Sequence, residues 1–153
     1  MKSLITPFIF IIVVSVLVVG ASVYSQEEYV EANVLDVQGI TIVLGRDCKA
    51  IIADTTEERA TSILLGMNKE IFLRPTAYDN FADILKTYEI GIDRVSFDYF
   101  DGSFYYASIV LNNGEKIVSI DSKPSDAISL GLRMDAPIYV NKTLLSEIGM
   151  DIC

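Results

Sequence analysis

The sequence predicts an α+β fold in one domain, an antiparallel β-meander packed with helices and preceded by an N-terminal hydrophobic helix. Three observations carry that expectation. From Ile92 to Ile120 the chain reads as three successive strands broken at Asp101-Gly102 and Asn113-Gly114, both strong hairpin signals. The helical patterns fall before and after this run and do not alternate strictly with strands, which favours α+β over α/β. Residues 26–153 are enough for one real core and too few for two comfortable ones.

The elements follow in order. Leu4 to Tyr24 is an almost unbroken apolar run after a start whose only cation is Lys2. About 20 apolar residues suffice to cross a bilayer, so residues 1–25 are read as a membrane anchor or a signal peptide. Small residues at Ala21 and Ser25 suit a signal peptidase. Lys2 before the run and Gln26-Glu27-Glu28 after it place the following domain outside the cytoplasm, either membrane-anchored or secreted.

Val30 to Val37 and Ile40 to Leu44 are dense in β-branched residues around Gln38-Gly39 and read as a hairpin; Lys49 to Ala53 is a further short apolar run. Asp54-Thr55-Thr56-Glu57 supplies cap-type residues before Ala60, Ile63, Leu64 and Met67, which share one helical face. Pro75-Thr76 opens a second helix with Phe81, Ile84, Leu85 and Tyr88 three or four apart, ending near Gly91. In the meander Val95, Phe97 and Tyr99 alternate with Arg94, Ser96 and Asp98. Phe97, Tyr99, Phe104 and Tyr106 are therefore read as one sheet face, with base stacking as a lesser reading. A helix begins at Pro124, Ala136 to Val140 forms a short strand, and Lys142 to Ile148 forms a last helix before Gly149.

Composition excludes several chemistries. There is no histidine, which removes the commonest general base along with Ser-His-Asp and Cys-His catalysis. Cys48 and Cys153 are the only cysteines and have no zinc-type spacing; they form a disulfide or remain as two thiols. All 21 acids but only 11 of the 12 bases follow Ser25, and this excess of ten negative charges opposes a broad basic nucleic-acid face. Asn141-Lys142-Thr143 is a glycosylation sequon, relevant only where the chain meets that machinery.

The densest chemistry lies in Ser119 to Leu130, where two carboxylates, a cation and hydroxyls meet at a strand-to-helix junction. Pro124 is preset for a first helical turn, and Asp126 sits where the helix dipole favours a negative charge, so capping is the simpler reading. The run Asp121-Ser122-Lys123-Pro124-Ser125-Asp126-Ala127-Ile128, followed by Leu132-Arg133 and Ala136-Pro137-Ile138-Tyr139-Val140, resembles the signature half of the bifunctional nuclease family. Arg74-Pro75-Thr76-Ala77-Tyr78-Asp79 is similar to that family's Arg-Pro-Leu-Thr-His-Asp motif, and Asp101-Gly102-Ser103-Phe104-Tyr105 to its Asp-Gly-Thr-Phe-Tyr hairpin. The resemblance runs from about Val30 to about Leu145. One departure stands out: Tyr78 occupies the family's histidine position.

The resemblance implies a nuclease acting on RNA and DNA. For such chemistry without histidine, carboxylates would hold Mg²⁺ or Mn²⁺ and cations would steady the phosphoryl oxygens. Asp121, Asp126 and Asp79 are the expected oxygen ligands, with Glu57 added by its approximate match to a family glutamate. Lys123, Arg74 and Arg133 are expected to hold phosphate, and Ser125 to donate a hydrogen bond. Each has a structural alternative in strand-end bonding, capping or ion pairing. The competing functional reading is a noncatalytic binding or assembly module using the same fold, and an open meander edge suits a homo-oligomer under either. A plain Ca²⁺ site is a minor third reading, since no Asp-x-Asp-x-Asp-Gly loop is present.

Overall fold

The computed structural model describes residues 28–153. The expected anchor or signal segment at residues 4–24 lies outside the described residues. Among the described residues no helix is long and apolar enough to cross a membrane. The chain runs β1 (Tyr29–Gln38), β2 (Thr41–Arg46), β3 (Lys49–Asp54), α1 (Glu57–Asn68), α2 (Ala77–Thr87), β4 (Gly91–Phe100), β5 (Tyr105–Asn112), β6 (Ile117–Ser122), α3 (Pro124–Arg133), β7 (Ile138–Asn141), α4 (Lys142–Ile148) and β8 (Met150–Asp151). The α+β expectation holds, and the three-stranded meander forms β4 to β6.

The eight strands of the described residues join one mixed sheet in the order β6-β5-β4-β7-β1-β2-β3-β8. β7 lies parallel to β4 and antiparallel to β1, and so stitches the meander to the N-terminal hairpin. Sequence periodicity shows the strands but carries no trace of this long-range pairing. The turns are local chemistry: Gly102 and Gly114 both take positive φ, which costs glycine nothing. The Asp101 carboxylate accepts from the backbone N–H groups of Ser103 and Phe104, at 2.8 and 2.7 Å, and fixes the first turn.

One core binds both halves. Ile42, Leu44 and Ile51 from the hairpin meet Val95, Phe97 and Ile109 from the meander, with Ile63, Leu85, Ile128 and Leu130 arriving from the helices. α3 approaches β4 so closely that a Cβ added to Gly131 would come within 2.8 Å of the Val95 side chain. The expected single aromatic face is corrected here. An irregularity in the β4–β5 register between Phe97 and Tyr99 slips the pairing by one residue, so Phe97 is 4% exposed while Tyr99 is 53% exposed and stacks on Tyr106 at 4.3 Å. Phe104 lies exposed in the connecting turn.

A disulfide between Cys48 and Cys153, with α-carbons 5.1 Å apart, fastens the C-terminus to the β2–β3 turn. It settles the alternative left open by the sequence and holds β8 against β3.

Candidate functional site

The helix-start chemistry around Pro124 takes an unexpected form. Lys123 is the N-cap of α3 but makes no side-chain capping bond, and its carbonyl receives the N–H groups of Asp126 and Ala127 at 3.0 and 2.9 Å. Asp126 therefore does not cap its own helix. It turns toward α1 and α2, and its Oδ1 accepts from Arg59 Nε of α1 at 3.0 Å and from the Tyr78 hydroxyl of α2 at 2.6 Å. Both charged side chains are about 30% exposed, so this ion pair borders solvent.

Tyr78, which stands at the histidine of the motif this segment resembles, has its own chemistry. Partial burial, followed by the hydrogen bond and negative charge of Asp126, pushes its hydroxyl up to about 12. At neutral pH it is a hydrogen-bond donor and carries no imidazole-like base function. Its ring lies beneath the Arg133 guanidinium, 5.6 Å from ring centre to Cζ.

Arg133 and Asp79 form a second, interior cluster. Their side chains are 7% and 9% exposed, and Arg133 Nε donates to Asp79 Oδ1. Asp79 Oδ2 accepts from the Thr76 backbone at 2.7 Å and from its hydroxyl at 2.6 Å, completing a capping box at the start of α2. Arg133 Nη1 reaches the carbonyls of Ser62 at 3.1 Å and Ser129 at 2.8 Å, so one guanidinium ties α1, α2 and α3 together. Burial on its own would raise the Asp79 carboxyl, but the Thr76 and Arg133 bonds outweigh it and hold the group below its ordinary range.

Three of the remaining residues face a groove of about 790 Å³ between the β2–β3 hairpin and the meander. Asp121, Lys123 and Ser125 line it from the β6–α3 junction, Arg59 joins from α1, and Phe104 and Tyr106 line it from the β4–β5 hairpin. Asp121 and Lys123 are exposed, as a ligand-facing pair must be.

The predicted cluster is thus divided. Asp121, Lys123 and Ser125 share the groove, with Asp126 behind it on Arg59. Asp79 and Arg133, expected as an oxygen ligand and a phosphate holder, pair with each other in the interior and do not line the groove. Both Asp79 oxygens are taken up by Arg133 and Thr76, so the buried carboxylate has little coordination capacity to give. Arg74 is exposed in the loop between α1 and α2, and Glu57 is exposed at the start of α1; neither lines the groove. Among the described residues no set of three or more carboxylate, cysteine or histidine side chains gathers as a metal centre, so the expected four-carboxylate site is not assembled.

Arg59 was missed in the sequence, because nothing local marks a pairing across 67 positions. The Thr76–Asp79 box was legible as Thr-x-x-Asp following Pro75.

A family model for the bifunctional nuclease domain matches residues 45–152, most of the described chain. The chain belongs to the bifunctional nuclease domain family. The match starts within β2, later than the resemblance near Val30, and continues to the end of β8. Among curated relatives, bifunctional nuclease 2 of Arabidopsis thaliana is 34% identical over 95 residues, 59% of this chain and 28% of that protein. Bifunctional nuclease 1 of the same plant is 32% identical over 95 residues, 59% of this chain and 29% of its own length. An uncharacterized protein of Mycobacterium tuberculosis is 27% identical over 78 residues, half of this chain and 45% of that protein. The chain therefore spans under a third of the length of these two plant members of the family.

Proposed function

We propose that this bifunctional nuclease domain binds single-stranded RNA or DNA in the groove and hydrolyses its phosphodiester bonds outside the cytoplasm. The observation that carries the reading is the convergence of Arg59, Lys123, Ser125 and Asp121 at one groove in a chain whose residues after Ser25 carry an excess of ten acids. Cations gathered at one place against that background provide a local phosphate site where the wider surface repels. Lys123 and Arg59 would hold the phosphoryl oxygens, Ser125 would donate to a third, and Asp121 supplies a carboxylate at the groove wall. Asp126 orients Arg59 while Tyr78 holds Asp126. Mg²⁺ or Mn²⁺, if held by Asp121 or Asp126 together with the substrate, supplies charge neutralisation and an acidified water. The disulfide supports an oxidising compartment, and with residues 4–24 it supports an anchored or secreted protein.

The test incubates the purified full chain with labelled single-stranded RNA and DNA, with Mg²⁺, Mn²⁺ or chelator, beside Asp121→Asn and Lys123→Ala. Cleavage that falls at least tenfold in both folded variants supports the reading; activity indifferent to both overturns it. A second reading, a noncatalytic binding or assembly module, is favoured by the engagement of both Asp79 and Asp126 with arginines. It predicts binding of oligonucleotide or partner without turnover.

A further inference from the structure

β6 ends the sheet on one side and β8 ends it on the other. An edge strand offers a row of unpaired backbone N–H and C=O groups, and proteins blunt such edges by shortness, proline, lysine or a bulge. β8 is two residues long. β6 has six, Ile117-Val118-Ser119-Ile120-Asp121-Ser122, with no proline or lysine and an unbroken register against β5. Three of its five exposed side chains are apolar: Ile117 is 69%, Val118 46% and Ile120 43% exposed. Apart from the single charge of Asp121 near its end, the strand carries none of these protections and reads as a pairing surface.

The occupant is written in the strand's own sequence. Two copies joined edge to edge by a two-fold axis through the sheet run antiparallel, and opposed residues must point to the same face, which permits only same-parity pairings. Three central registers satisfy this. Centring on Val118 sets Glu115 against the partner's Asp121, two like charges. Centring on Ile120 sets Lys116 against the partner's Pro124, with no charge gain. Centring on Ser119 sets Val118 against the partner's Ile120, Ile117 against the partner's Asp121 and Glu115 against the partner's Lys123. This register alone joins apolar to apolar on one face and, just beyond the strand ends, brings the acid of the turn before β6 toward the base at the start of α3.

We propose that β6 pairs antiparallel with β6 of a second copy, centred on Ser119, to give a continuous sixteen-stranded sheet. Because Lys123 lines the groove, the pairing brings the partner's Glu115 to the rim of each candidate site. The pairing stands on the edge chemistry and is independent of the nuclease reading.

The test uses the full chain carrying Ser119→Cys, exposed to copper–phenanthroline as oxidant and resolved on a non-reducing gel. Directly opposed strand residues have α-carbons about 4.5–5.5 Å apart, within disulfide reach. Ser119→Cys is expected to give a covalent dimer, and Ile117→Cys, four positions from its symmetry mate, to react at least about tenfold more slowly. Adding Glu115→Lys to Ser119→Cys should slow the crosslink, and Lys123→Glu on top of it should restore the rate. A Ser119→Cys chain that stays monomeric, crosslinks no faster than Ile117→Cys, or is not rescued by the charge swap overturns the proposal. Turnover is not the readout, so these outcomes are separate from those of the nuclease assay.

Discussion

Tyr78 shows how one side chain shapes its surroundings. A histidine there would titrate near neutrality, whereas this hydroxyl keeps its proton to about 12 and holds Asp126 in place. Tyr78→Phe should lower stability by about 1.5–3 kcal/mol, the worth of a hydrogen bond to a charged group, read by thermal denaturation. The pH sign follows from the shift. A folded value above the unfolded value of 10.0 contributes stability in full below pH 10 and loses it as pH climbs toward 12. An absorbance titration of tyrosinate should therefore lose its latest-ionising step in Tyr78→Phe. Asp79 has the opposite sign. Its depressed carboxyl contributes above about pH 3.8 and loses that contribution as pH falls through its lower folded value. Asp79→Ala leaves the Arg133 charge buried without its partner and should cost about 3–5 kcal/mol in chemical denaturation at pH 7. A cost under about 1 kcal/mol would mean that Arg133 escapes to solvent.

At the scale of elements, two close approaches decide how strands and helices seat. α3 rests on β4 through Gly131, where an added Cβ would meet Val95 Cγ2 at 2.8 Å, and Val95 is fully buried. Alanine in a helix interior ordinarily gains about 1 kcal/mol over glycine. Gly131→Ala should nonetheless destabilise, because overpacking a tight core costs about 1–3 kcal/mol. A rise in Tm would show that α3 can lift from the sheet. The β4 irregularity is the other decision. Residues 94 to 99 alternate perfectly in sequence, so periodicity alone assigns Phe97 and Tyr99 to one face. The structure places them on opposite faces because the slip lies in pairing with β5, which a single strand's pattern does not encode. α2 carries a similar lesson: Leu85 is buried, while Phe81, Ile84 and Tyr88, which share its helical spacing, remain exposed.

Across the whole molecule, the disulfide closes a loop of more than 100 residues, from the β2–β3 turn to the last residue. Constraining that loop in the unfolded chain is worth on the order of 4–5 kcal/mol by chain entropy. The Cys48→Ser/Cys153→Ser pair should lower the denaturant midpoint accordingly, with the fastest hydrogen exchange expected at β8; an unchanged midpoint would show that the sheet registers hold without it. The sequence by itself determined the strands, the helices, their turns and the α+β class, because those rest on periodicity, caps and glycine chemistry within a few residues. It also marked Asp121, Lys123 and Ser125 as neighbours, since they lie within one turn of chain. Only the tertiary structure decided that β7 joins the two halves in parallel, that Arg59 meets Asp126, and that Arg133 withdraws Asp79 into the interior. Those pairings span tens of residues, and their energy comes from burial and charge between elements that no local pattern records.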